Sequence, residues 1–128
     1  MAYVNSKIVN YTFEDAITKV TDELKKEGFG ILTEIDVQET LKNKLDVDFR
    51  KYKILGACNP TFAYKALQTE ETLGVLLPCN VVVQEKEDGK VQVSVVNPME
   101  SMQAVKNPAL EEVAVTVSSK LQKVFENL

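Results

Sequence analysis

Two runs of alternating residues, Cys79 to Lys86 and Lys90 to Val96, meet across Glu87-Asp88-Gly89. Val81 and Val83 share one face of the first run. Val91, Val93 and Val95 share one face of the second. Asp-Gly between alternating apolar runs is a strong short-range signal for a β-hairpin, because glycine takes the positive φ of the turn without steric cost. A hairpin with valines stacked on one face has to bury that face, so the rest of the chain must supply its cover.

The cover is legible as helical periodicity. Phe13, Ala16, Ile17, Val20 and Leu24 form one stripe. Thr12 stands before it as an N-cap, with Asp15 at the reciprocal position, and Lys25, Lys26 and Gly28 suit its end. Leu110, Val113, Val117, Leu121, Val124 and Leu128 form a second stripe behind Asn107-Pro108. Val4 to Asn10, Gly30 to Val37 and Tyr52 to Cys58 read as further strands. In the second of these, Ile31, Thr33, Ile35 and Val37 fall on one face.

A short helix from about Val37 to Leu45 follows a cap at Asp36, with a narrow apolar face that suits the surface. Asn59-Pro60 reads as an N-cap and first-turn proline for a helix ending near Gln68. Thr69 to Pro78 is a connector in which Leu73, Val75, Leu76 and Leu77 return to the core. Asn97-Pro98 starts a short helical piece through Val105. This order predicts an α+β fold: a mostly antiparallel sheet with helices packed on one side, in a single domain over residues 1–128.

The chain has no histidine, which removes His-based acid–base and nucleophilic catalysis and every His metal site. Two cysteines alone make a four-ligand zinc site within one chain untenable, so no metal is expected. The five glycines are scattered and form no phosphate-binding loop, and no cofactor motif is visible. A net charge of −4 argues against nucleic acid. No apolar run approaches the ~18 residues that span a bilayer, so no membrane association is expected. The N-terminus lacks the pattern of a secretory signal, and the low cysteine content is foreign to disulfide scaffolds. Both point to the cytoplasm.

The candidate site residues are Cys58, Asn59, Cys79 and Asn80, with Lys53 as a basic neighbour. Each thiol stands at a predicted strand end and is followed by an asparagine. If the two strands are antiparallel neighbours, both cysteines reach the same end of the sheet. Cys58 also precedes a helix start, where the dipole favours a thiolate; the competing reading is that both are small buried hydrophobes. Asn59 has an alternative role as a helix cap, and Asn80 as a structural hydrogen-bonding group. Arg50, Lys51 and Lys53 form a small basic cluster suited to an anion, or simply to solvent. Glu34 and Asp36 alternate on one strand, but nothing beside them supplies a nucleophile. Met99, Met102 and Val105, at helical spacing, read as core or interface filler.

Three stretches, GFGILTEIDVQETLKNKL (Gly28 to Leu45), YKILGACNPTFAYKAL (Tyr52 to Leu67) and LGVLLPCNVVV (Leu73 to Val83), together resemble the prokaryotic domain-of-unknown-function family 302. The GACNP and LLPCNV segments are the specific part. The resemblance implies an α+β fold similar in shape to TATA-binding-protein-like domains, and a homodimer. It implies no established activity. The apolar content of the C-terminal third, larger than one small sheet needs, also fits a dimer. The reading that follows is a small cytoplasmic, homodimeric, small-molecule binding module. The alternatives are a thiol-dependent redox or sulfur-handling protein using Cys58 and Cys79, and a structural or partner-binding subunit without a ligand.

Overall fold

In the computed structural model, which describes residues 2–128, the hairpin closes as its turn chemistry dictates. The Lys86 N–H donates to the Lys90 carbonyl at 2.8 Å, and Gly89 takes φ +83°. The Asp88 carboxylate accepts from the Lys90 N–H at 2.9 Å. In chain order the elements are β1 (Val4–Val9), α1 (Phe13–Lys26), β2 (Gly30–Asp36), α2 (Val37–Leu45), β3 (Tyr52–Cys58) and α3 (Pro60–Thr69). Then come β4 (Cys79–Glu85), β5 (Val91–Val96), α4 (Pro98–Ser101) and α5 (Glu111–Glu126). Short 3-10 turns cover Leu73–Leu76, Gln103–Val105 and Pro108–Leu110.

The five strands form one sheet in the order β1-β5-β4-β3-β2, and every neighbouring pair is antiparallel. This is the α+β fold expected from the sequence. Strand alternation gives the sheet two unlike faces. The inner face carries Leu55, Ala57, Val81, Val83, Val91, Val93 and Val95, all buried. It packs against the α1 stripe of Phe13, Ala16, Val20 and Leu24 and the α5 stripe of Val117, Leu121 and Val124. A satellite cluster of Ala66, Leu73 and Leu110, with Met102 and Val105 against it, joins α3 to the start of α5.

Local chemistry fixes the ends of the covering helices. The Thr12 hydroxyl accepts from the Asp15 N–H at 3.1 Å, and the Asp36 carboxylate accepts from the Glu39 N–H at 3.0 Å. The C-terminus of α1 ends at Gly28, φ +84°, with the Phe29 N–H reaching back to the Leu24 carbonyl at 2.9 Å. That turn drops Phe29 into the core. Glu23, the one buried charged residue among those described, is held by the Lys26 ammonium at 3.0 and 3.1 Å.

The outer face consists of three cross-strand rows. Ile8, Gln92, Gln84 and Tyr52 align in one; Ser6, Ser94, Val82, Ile54 and Ile35 in the next; and Val4, Val96, Asn80, Gly56 and Thr33 in the third. Gly56 is the one buried member. A Cβ there would strike the Thr33 hydroxyl and lie 2.7 Å from the Pro78 ring.

Two expectations need correction. Ile31, Thr33 and Ile35 do not share a face: a register shift between Ile31 and Thr33 puts Ile31 opposite Ala57 on the inner face, and Thr33 and Ile35 on the outer. The extra residue, Leu32, is 68% exposed; such a bulge inverts the alternation beyond it. Val75 and Leu76 do not return to the core; Val75 is 86% exposed, because the 3-10 turn directs only Leu73 inward.

Two glycines predict different costs. Gly56→Val has no room on a central strand and should lose about 3 kcal/mol, the upper part of the overpacking range. Gly89→Val has open space and only an unfavourable φ, so it should lose roughly 1 kcal/mol. Urea unfolding of both variants measures the difference, and equal losses would contradict the packing at Gly56.

Candidate functional site

The pairing of β3 with β4 carries the two thiols to one end of the sheet, as antiparallel neighbours require. Ala57 stands opposite Cys79, and Cys58 is the next residue along. The thiols are therefore diagonal neighbours rather than a directly opposed cross-strand pair. Both are unoxidised. Cys79 is buried because it opens the inward-facing series that continues through Val81 and Val83, whereas Cys58, at the strand end, is partly exposed. With Asn59, Phe62, Pro78 and Met102 they line a narrow apolar crevice of about 30 Å³. That is room for about one water molecule, not for a metabolite.

Burial decides the electrostatics of this end. The Cys58 thiol is pushed up from its ordinary value by desolvation. Cys79 is pushed up to about 11, chiefly by burial, with Cys58 adding to it. The helix start after Cys58 does not offset the desolvation. A reactive thiolate needs the opposite direction of shift, so the requirement of the thiol-dependent reading is not met by either residue.

The other candidates divide between three places. Asn59 occupies the N-cap position of α3, but its side chain makes no capping bond there. Its amide donates instead to the Glu27 carbonyl at the end of α1, at 3.3 Å. The expected cap is thus an interhelical tie, drawn away by an acceptor that no local reading of Asn59-Pro60 reveals. Asn80 is exposed on the outer face, one residue from Cys79 but pointing away from it by strand alternation. Lys53 lies on the inner side of the sheet margin, where its ammonium meets the Glu34 carboxylate at 3.2 Å. Lys51 meets Glu14 at 3.1 Å, which raises the lysine's pKa and contributes to lowering the glutamate's. Arg50 donates to the Gln84 side chain at 2.9 Å and stacks over Phe49 and Tyr52. The basic cluster is therefore engaged by protein groups, and Asn80 and Lys53 do not join the cysteines.

A larger concavity lies where the sequence offered only filler. Met99, Met102, Gln103, Lys106, Leu110 and Glu111 line an open groove of about 460 Å³ between the segment after α4 and the start of α5. Met102 also lines the cysteine crevice, so the two adjoin. Lys106, at φ +55°, ends the 3-10 turn and makes no ion pair among the described residues. The spacing of Met99 and Met102 was the only sequence signal for this place, since the groove forms by packing between distant segments. No group of three or more Cys, Asp or Glu residues is placed to hold a metal ion among the described residues. No helix among them is long and apolar enough to cross a membrane.

The raised thiols predict a pH dependence. An unfolded chain releases the Cys79 proton near pH 9.0, and the folded protein holds it to about 11. Between these values the native state binds more protons than the unfolded state. Stability from this group is therefore complete below the window and falls as pH rises through it. Urea unfolding at stepped pH should show a shallower decline for Cys79→Ala than for the wild type. Iodoacetamide should label neither native thiol faster than a model thiol at neutral pH. Rapid labelling of Cys58, or identical pH slopes, would contradict the burial.

The chain is similar to proteins of known sequence and structure. A crystal structure of the uncharacterized conserved protein DUF302 from Bacillus stearothermophilus superposes with a TM-score of 0.91 at 28% identity, covering 99% of this chain and 98% of that one. An uncharacterized protein of Aquifex aeolicus (strain VF5) is 30% identical over 91 residues, which are 71% of this chain and 57% of that protein. The chain thus spans little more than half the length of that curated relative. The family model described as domain of unknown function DUF302 matches residues 5–128, and the chain belongs to that family.

Proposed function

We propose that this protein is a small-molecule binding module, and that its ligand occupies the groove at Met99 and Met102. The observation that carries this reading is the groove itself. At about 460 Å³ it falls within the ~300–1,000 Å³ span of ligand sites, as do concavities of about 370, 430 and 400 Å³ elsewhere on the surface, but among these it is the one that shares a residue, Met102, with the cysteine crevice. Its lining is mostly apolar, with the Lys106 ammonium, which makes no ion pair among the described residues, and the Glu111 carboxylate as its charged groups. Methionines adapt their shape to an apolar guest at little cost. The ligand chemistry that fits is a small apolar body with an anionic end set toward Lys106. Two unpaired thiols suit a reducing compartment such as the cytoplasm.

The dye 8-anilinonaphthalene-1-sulfonate, an apolar body with one anionic group, is a suitable probe. Fluorescence titration should show saturable binding that Met102→Lys reduces at least about tenfold, the weight of one lost apolar contact surface plus a misplaced charge. Val75→Lys, at an exposed site outside the groove, should leave it unchanged. Undiminished binding to a folded Met102→Lys variant would overturn the reading.

A further inference from the structure

The charges of the strands are distributed opposite to expectation. A sheet covered on one side normally turns its polar and charged residues to the open side. Here all five charged strand residues point to the helix side: Lys7 opposite Val93, Glu34 opposite Leu55, Asp36 opposite Lys53, Lys53 opposite Val83, and Glu85 opposite Val91. Apart from the Gly30–Cys58 pair at the strand ends, the outer face has fourteen positions: two from β2 and three each from β1, β3, β4 and β5. None is charged. Charged residues make up 27% of the chain, so about four would be expected there even without the usual preference for an open face. We infer that this outer face is the surface on which two copies of the chain pack, sheet against sheet. It is this face, and not the apolar C-terminal third, that the dimer buries.

Four polar side chains on the face are ready to lose water. The Ser6 and Ser94 hydroxyls bond to each other at 2.7 Å, and the Gln92 amide donates to Ser94 at 3.2 Å. Gln84 accepts from Arg50 at 2.9 Å. These four side chains are already paired, which is the condition for burying polar groups cheaply, while Asn80, Thr33 and Tyr52 make no side-chain hydrogen bond among the described residues and would need partners across the interface. Val82 and Ile54 stand side by side in the middle row, with Ile35 beside them 48% exposed. Depletion of charge around an apolar centre is the composition of an interface core.

Charge also selects the occupant. The chain carries −4, so two copies repel unless they meet where no charge lies. An uncharged face permits that contact and offers nothing to attract a strongly basic or acidic partner. At its rim Arg50 lies over Tyr52 and holds Gln84, beside the mixed charges of Lys86, Glu87 and Asp88 at the hairpin turn. Five strands by about six residues give a footprint of roughly 24 Å by 20 Å before side-chain relief. That is below the ~800 Å² per partner of a standard interface, which fits a weak, concentration-dependent dimer rather than an obligate one. A two-fold arrangement lets the same rows face each other, with the sheets about 10 Å apart.

Analytical ultracentrifugation across a micromolar dilution series tests this. The wild type should move from 14.3 kDa toward twice that mass as concentration rises. Val82→Lys, and separately Ile35→Lys at a more exposed site, should weaken association at least tenfold, because a two-fold axis sets two like charges together. Circular dichroism shows whether each variant is folded. Val75→Lys, on the most exposed apolar side chain of the helical side, should associate as the wild type does. A wild type that stays at 14.3 kDa throughout overturns the inference, as does a folded Ile35→Lys that dimerises normally. So does dissociation by Val75→Lys.

Discussion

The need to keep one face of β4 and β5 dry governs this molecule. Val81, Val83, Val91, Val93 and Val95 are buried together, and α1 and α5 are amphipathic on the sides that meet them. Once β4 is fixed in that register, its first residue follows. Cys79 belongs to the same inward series, so the packing that makes the fold also desolvates the thiol. Fold and site chemistry are not separable here: a more reactive Cys79 would need a wetter core beneath α3 and α5.

That constraint leaves the second face of the sheet without cover, and the chain handles the two faces unequally. Charges that would ordinarily decorate the open face are drawn to the margins of the helix side, where they find partners. Lys53 meets Glu34, and Lys51 meets Glu14 on α1. Lys7 lies over the Phe125 ring of α5, its ammonium 4.7 Å from the centroid. These contacts frame the core with weak exposed interactions and contribute little to stability singly. Their larger effect is on the opposite side, which is left neutral.

Much of the fold was legible because its determinants are local. Caps at Thr12 and Asp36, the stop at Gly28, the turn at Gly89 and the two helical stripes each depend on residues within a few positions of one another. The antiparallel pairing that gathers Cys58 and Cys79 followed from chain order. What was not legible depends on distant contacts. The bulge at Leu32 inverts a pattern that reads as unbroken alternation. Asn59 abandons its own helix for a carbonyl of α1, 32 positions away in sequence. Val75 and Leu76 look like core residues by type and are turned outward by a 3-10 turn. Of the candidate site, Cys58, Asn59 and Cys79 come together, while Asn80 and Lys53 are separated from them by strand alternation and by an ion pair. The groove at Met99 and Met102 exists only after residues 98–111 fold back on α5, so two methionines at helical spacing could not distinguish it from filler.

The central claim is that the two faces of one sheet have separate tasks, one closed by the chain's own helices and the other by a second copy. Cross-saturation transfer by nuclear magnetic resonance tests it most directly. A deuterated, nitrogen-15-labelled copy is mixed with an unlabelled protonated copy at a concentration where dimers form, and only the protonated copy is irradiated. Amide signals should weaken at Val82, Ser94, Ile54 and Ile35 along the middle row of the outer face. Weakening confined to Tyr64, Val75 and Val115 on the helical side would contradict the division of tasks between the two faces.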